Sequence, residues 1–119
     1  ALQERLGDAS CAGLILKPTL AGGLEVSARL ADEASRLGKP TVLTSAFESG
    51  VAHAHVAMLA SVLGGPSIAH GLSTYERLQG DTLSPAFAEA VDGDLVDVPR
   101  LQAALDATAQ GLRFVNERR

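Results

Sequence analysis

Gly13-Leu14-Ile15-Leu16-Lys17-Pro18-Thr19-Leu20-Ala21-Gly22-Gly23-Leu24 decides how the rest of the chain is read. Gly13 to Leu16 is a short apolar run of the kind a buried strand carries. The run ends on a lysine, which an ordinary core strand avoids. Pro18 follows, and because it has no N–H to give a sheet ladder it stops the strand. Gly22-Gly23 supplies a tight turn, and a helical pattern begins at Leu24. The stretch reads as strand, loop and helix, with a cation at the strand's carboxyl end, where α/β folds place their ligands.

Working outward, Ala1 to Leu6 reads as the end of a helix closed by Gly7, and Ala12 to Lys17 as the first strand. Leu24 to Leu37 is an amphipathic helix. Val26, Leu30, Ala34 and Leu37 recur at helical spacing, and Arg29, Asp32, Glu33 and Arg36 take the other side. Gly38 suits the position just after a helix, and Pro40 prevents continuation. Thr41 to Ser45 is a second strand, rich in β-branched residues. A second helix runs from about Val51 to Leu63, with Ala52, Val56, Leu59 and Leu63 as its apolar stripe, and Gly64-Gly65-Pro66 ends it.

Ser67 to His70 reads as a third strand, followed by a loop at Gly71 to Thr74 and a helical turn at Tyr75 to Gln79. Asp92-Gly93 marks a turn before a strand at Asp94 to Val98. Pro99 fits the start of a last helix marked by Leu101, Leu105, Thr108, Leu112 and Val115. The order β-α-β-α-β with short loops is the signature of parallel β/α construction. Residues 1–82 group as β/α units and residues 83–119 as a C-terminal extension. Two full units and a third strand are a slice of a barrel or open sheet, since a complete (β/α)₈ barrel takes about 250 residues.

Composition narrows the function classes. The 119 residues are 46% hydrophobic but only 3% aromatic, so the core is built from Ala, Leu and Val. A formal net charge of -4, with basic residues scattered apart from Arg118-Arg119, argues against a nucleic-acid footprint. No apolar run approaches the ~20 residues a membrane span needs. The single Cys11 allows no internal disulfide and gives no metal-ligand pattern. Acidic and basic residues among the first eight are unlike a secretory signal, and the absence of an initial Met suggests processing or excision from something longer.

Lys17 is the leading candidate for chemistry. A lysine snorkelling from a strand end is the bland alternative, but Pro18 and the glycine pair hold its loop in a special shape. The amino end of the following helix also offers free N–H groups to an anion. Thr44, Ser45, Glu48 and Ser49 form a second polar cluster at a strand's carboxyl end. Their bland reading is helix capping, and Ser45-Ala46-Phe47-Glu48 has capping-box spacing. His53 and His55, two apart on a helix, point to different faces and make a poor metal pair. His70 ends the third strand and reads most simply as a structural histidine. Cys11 reads as a small buried residue.

Leu16-Lys17-Pro18-Thr19-Leu20-Ala21-Gly22-Gly23-Leu24-Glu25 and Leu43-Thr44-Ser45-Ala46-Phe47-Glu48-Ser49-Gly50, at the spacing they have here, resemble o-succinylbenzoate synthase of the enolase superfamily. Ala69-His70-Gly71-Leu72-Ser73-Thr74-Tyr75-Glu76-Arg77-Leu78 looks most like the version fused into a multifunctional plant and algal protein of phylloquinone synthesis. The resemblance covers roughly Ala12 to Asp81.

It implies the C-terminal segment of a (β/α)₇β barrel, which in the family also carries a capping domain. The implied activity is dehydration of 2-succinyl-6-hydroxycyclohexadiene carboxylate to 2-succinylbenzoate. A proton leaves α to the carboxylate, Mg²⁺ stabilises the enediolate and hydroxide departs. By the same resemblance, Lys17 matches the second of two barrel lysines facing the reacting carbon. Thr44 and Ser45 match small polar residues of the substrate site. Gly71 matches the glycine where backbone approaches substrate. Ser73 stands where many bacterial relatives have an acid, and so carries no assigned role.

In the family the Mg²⁺ ligands and the other lysine lie on earlier strands, which would precede Ala1. The implied partners are a small carboxylate substrate and the upstream half of the barrel. The implied location is the chloroplast for a plant or algal source and the cytoplasm for a bacterial one. Two alternatives stand beside this reading. One is a catalytically inactive barrel fragment that serves as a binding or assembly module. The other is a small flavodoxin-like domain binding a phosphate at Gly22-Gly23, which calls for a fuller sheet and a more glycine-rich first loop.

Overall fold

The computed structural model describes residues 2–63, 68–77, 79–83, 87, 91–92 and 95–111. Its first elements are helix α1 (Leu2–Gly7), strand β1 (Leu14–Leu16), a single-turn helix α2 (Pro18–Ala21), helix α3 (Leu24–Arg36), strand β2 (Thr41–Leu43) and helix α4 (Gly50–Leu63). A 3₁₀ turn (Ser73–Arg77), strands β3 (Val91–Asp92) and β4 (Leu95–Val96), and helix α5 (Val98–Gly111) follow. The chain is therefore mixed α/β, with a small parallel sheet of two strands. β1 and β2 pair in register, Leu14 with Thr41, Ile15 with Val42 and Leu16 with Leu43.

The deciding stretch folds as its residues require. β1 stops at Leu16, Lys17 is still extended, and Pro18 takes the first position of α2, where its missing N–H costs nothing. That turn of helix was not foreseen from the sequence. Gly22 and Gly23 have φ of 104° and 105°, values an L side chain rarely adopts, and they turn the chain straight into α3. At the other end of α3, Gly38 N–H bonds to Ser35 O at 2.9 Å and Lys39 N–H to Ala34 O at 2.8 Å. This is the Schellman arrangement, with Gly38 at φ 69°.

The buried stripe of α3 is rotated from the expected one. Ser27, Ala31 and Ala34 are its buried residues, while Leu37 is about half exposed. Small side chains let the helix approach the sheet closely, and Ser27 spends its hydroxyl on Gly23 O at 2.8 Å. α4 also departs from a single stripe, because it is apolar nearly all round and buried on two sides. Ala60, with Leu59 and Leu63, packs on Leu16 and Leu43 of the sheet. Ala54 and Ala57 pack instead on Leu83, Phe87, Leu101 and Ala104 from the C-terminal segment.

Gly50 makes that second contact possible. A Cβ there would overlap the Asp81 carboxylate, and Asp81 is clamped by the N–H groups of Leu83 and Phe87 at 3.0 and 2.7 Å. α5 is capped by Asp97, whose carboxylate accepts Arg100 N–H at 3.0 Å, a cap the sequence reading passed over.

The third strand is reduced to one bridge, Thr44 with Gly71, parallel. Gly71 N–H bonds to Leu43 O at 2.9 Å and Ser45 N–H to Gly71 O at 3.0 Å. The ladder goes no further upstream because Leu43 N–H is taken by the His70 ring, at Nδ1, 3.0 Å away. Ile68 to His70 are therefore not strand, and Ser67 lies outside the described residues, as do Gly64-Gly65-Pro66, Leu112 and Val115. Of the strand expected at Asp94 to Val98, Leu95–Val96 forms β4, paired antiparallel with β3, Val98 opens α5, and Asp94 lies outside the described residues.

Among the described residues, helices cover one face of the parallel sheet. Leu16 and Leu43 point into that covered side and are 6% and 0% exposed. Ile15 points the other way and is 71% exposed. Alternation along a strand puts Lys17 on the same open face as Ile15.

Candidate functional site

Three chain segments converge at the carboxyl ends of β1 and β2. Lys17 donates from Nζ to the carbonyl of Ser45 at 2.8 Å, so the amine is fixed across the strand ends rather than trailing into solvent. Thr44 is half-buried beside it. Its N–H bonds to Leu16 O at 2.8 Å and its hydroxyl reaches the same carbonyl at 3.4 Å. Ser45 is buried, and its hydroxyl is shared between Gly71 O at 3.2 Å and Thr74 Oγ1 at 2.7 Å. Gly71 is exposed, and a Cβ on it would stand 3.0 Å from Thr44 Cγ2. Lys17, Thr44, Ser45 and Gly71 are thus one cluster. Ser73 is exposed at the start of the 3₁₀ turn.

Glu48 is more deeply placed than a helix-capping acid. It is 6% exposed, and its Oε1 accepts both Thr19 Oγ1 and Ala46 N–H at 2.7 Å. The capping box suggested by Ser45-Ala46-Phe47-Glu48 does not form, because Ser45 N–H goes to Gly71 and α4 starts later. Ser49 sits at the helix entrance instead, with its carbonyl accepting His53 N–H at 2.8 Å. Spacing alone pointed Glu48 to the surface. Its burial follows from the fold of the α2 turn, which brings Thr19 over it.

His53 and His55 part company on α4. His55 is exposed and donates from Nδ1 to Val51 O at 2.8 Å. His53 is fully buried, with Nε2 2.7 Å from Leu72 O and with the Phe87 and Tyr75 rings edge-on at 4.4 and 5.5 Å. Burial holds its imidazolium below the usual range, against opposing pulls from the Leu72 carbonyl, Glu48 and Asp81. Cys11 is half-buried and its thiol points to Gly13 O at 3.4 Å.

His70 carries a pH dependence of its own. Burial depresses its pKa, with the Ala60 carbonyl pulling weakly the other way, although Nε2 has no hydrogen bond of ordinary geometry. Accepting Leu43 N–H at Nδ1 also requires the neutral ring. The unfolded chain therefore binds more protons than the folded one once the pH falls below about 6.5. His70's contribution to stability is complete above that pH and declines as the pH drops toward the depressed folded value. Urea midpoints are expected to fall between pH 7.5 and 5.5, and His70→Gln, which keeps an acceptor without a titrating ring, is expected to flatten that part of the profile. An unchanged slope in the variant would remove His70 from the effect.

A Mg²⁺ ion does not fit these side chains. Among the described residues no three His, Cys, Asp or Glu side chains gather at one point. Glu48, the acid in the cluster, already has one oxygen committed to two donors. A cleft of about 360 Å³ lies at the opposite, amino end of β2, lined by Ala31, Asp32, Lys39, Thr41 and Val62 among others, away from Lys17. No helix among the described residues is long and apolar enough to cross a membrane.

The chain is 31% identical, over an alignment of 109 positions that covers 73% of it, to the chloroplastic protein PHYLLO of Arabidopsis thaliana. The chain spans only 6% of that protein's length. No protein-family model matches the chain. No solved structure matches it either.

Proposed function

We propose that this chain supplies the last β/α units of an o-succinylbenzoate synthase barrel in phylloquinone or menaquinone synthesis. The observation that carries the reading is the position of Lys17. It is a cation at the carboxyl end of a parallel β/α pair, on the face that no helix among the described residues covers, and it is anchored to the neighbouring strand end through Ser45 O. The similarity to a chloroplastic relative agrees with the motifs around Lys17, Ser45 and Gly71 and favours a chloroplast setting for a plant or algal source.

In this reading the substrate carboxylate lies over the strand ends. Lys17 Nζ faces the reacting carbon, where an ammonium stabilises the charge that develops as the α proton leaves. Thr44 and Gly71 form part of the substrate wall. Ser45, with its hydroxyl between Gly71 and Thr74, fixes the shape of that wall. Mg²⁺ belongs in this reading to acids of the strands preceding Ala1, and those strands would also cover the open sheet face. The test is formation of 2-succinylbenzoate by the protein that joins residues 1–119 to those strands. Product formation that depends on this segment supports the reading, and a well-folded protein that forms none refutes it.

A second reading is an inactive fragment acting as a binding or assembly module. The uncovered face around Ile15 and the lack of a metal cluster among the described residues favour it. The flavodoxin-like alternative expects a fuller sheet than two strands and a bridge, and draws no such support.

A further inference from the structure

Two buried polar atoms in this protein face each other without a partner. Glu48 Oε2 and His53 Nδ1 are 3.9 Å apart, on side chains 2% and 0% exposed, and neither makes a hydrogen bond. The His53 ring leaves no freedom in its tautomer. Nε2 is 2.7 Å from Leu72 O, a carbonyl that can only accept, so Nε2 carries hydrogen. In a neutral ring Nδ1 is then a bare acceptor, and it looks at a carboxyl oxygen that is also an acceptor. Two buried acceptors face to face leave both groups unsatisfied, and each carries its desolvation penalty uncompensated. One proton between them, with closure of about 1 Å to ordinary hydrogen-bond distance, satisfies both. Among the described residues the Tyr75 and Phe87 rings and the Asp81 carboxylate also face the pair, and none of them donates to either atom.

The opposite oxygen of Glu48 explains what the arrangement accomplishes. Oε1 takes Thr19 Oγ1 from the α2 turn and Ala46 N–H from the loop after β2, both at 2.7 Å. Lys17 caps that turn, with its carbonyl accepting Leu20 and Ala21 N–H at 2.9 and 2.8 Å, and its Nζ reaches the Ser45 carbonyl, the group that precedes Ala46 N–H.

We propose that Glu48 is the positioning residue for Lys17, anchored by one buried proton held between Glu48 Oε2 and His53 Nδ1. Its other oxygen clamps the loop of Lys17 to the loop of Ser45. The proposal rests on the reading of Lys17 as the reacting cation, and it adds a device that fixes where that cation stands.

Glutamine is the discriminating substitution. In Glu48→Gln the amide oxygen still accepts from Thr19 and Ala46, and the amide N–H donates to His53 Nδ1 without any shared proton. The measurement is hydrogen exchange of the Leu20, Ala21 and Gly23 amides in the full chain, read by mass spectrometry. Glu48→Ala is expected to speed that exchange tenfold or more, while Glu48→Gln keeps it within a few-fold of wild type. In histidine-labelled wild-type protein, ¹⁵N spectra are expected to show both His53 nitrogens hydrogen-bonded. Loss of protection in Glu48→Gln equal to that in Glu48→Ala overturns the proposal, as does a His53 Nδ1 signal of a free lone pair. If Glu48→Ala does not fold, Glu48→Gln and the wild-type spectrum decide. None of these measurements depends on turnover, so failure of the dehydratase reading and failure of this proposal give different results.

Discussion

In the proposed synthase, replacing Lys17 by alanine is expected to lower kcat/KM for dehydration by roughly 10²–10⁴-fold, the range in which a positioned proton-transfer or charge-stabilising group acts. The fold is expected to survive. Lys17 is exposed except for its Nζ bond to Ser45 O, and a hydrogen bond from a charged group is worth about 1.5–3 kcal/mol. β1 keeps its register through Leu14 to Leu16, and α2 is held by the Lys17 backbone, which alanine retains. Steady-state kinetics and a thermal melt on the same sample separate the two effects. A folded variant with near-normal turnover would remove Lys17 from the chemistry and leave the lysine as a loop clasp.

The isolated chain is expected to self-associate. Among the described residues helices cover one face of its parallel sheet, Ile15 on the other face is 71% exposed, and Leu20 and Phe47 in the loops beyond the strand ends are 74% and 65% exposed. Burying one such side chain fully gains about 1.5–3 kcal/mol, and an unpaired strand edge adds a template for pairing. In the proposed barrel further strands would cover this face, and for the chain alone the nearest substitute is a second copy. Sedimentation is expected to show dimers or larger species, and Ile15→Lys is expected to shift them toward monomer without unfolding the chain. A wild-type chain that stays monomeric as its concentration rises would contradict the open-face account.

What could be read from the sequence was mostly local. Gly13 to Leu24 gave the strand, the stop at Pro18 and the tight turn, since Pro and Gly act through their own φ angles. Gly38 closed α3 for the same reason. The convergence of Lys17 with Thr44, Ser45 and Gly71 was also within reach, because parallel β/α units bring successive strand ends side by side.

The misses came from side chains that act over distance. His70 replaces a backbone acceptor for Leu43 N–H, so a segment with strand-like residues forms one bridge rather than a strand. α4 has no single apolar face because it is packed from two sides, one of them by Leu83, Phe87 and Leu101 far along the chain. Glu48 had the spacing of a capping residue and became buried only because Thr19 and His53 close over it. No periodicity within its own segment carries that information.

The most direct test of the account is an add-back assay. Residues 1–119 are purified and assayed for conversion of 2-succinyl-6-hydroxycyclohexadiene carboxylate with Mg²⁺, first alone and then with the upstream half of a synthase barrel from the same protein. The account predicts no turnover from the chain alone, because the proposed reading assigns the Mg²⁺-binding acids and the second lysine to other strands. It predicts turnover on mixing that is lost again with Lys17→Ala. Turnover by the chain alone, or a well-formed complex in which Lys17→Ala changes nothing, would contradict it.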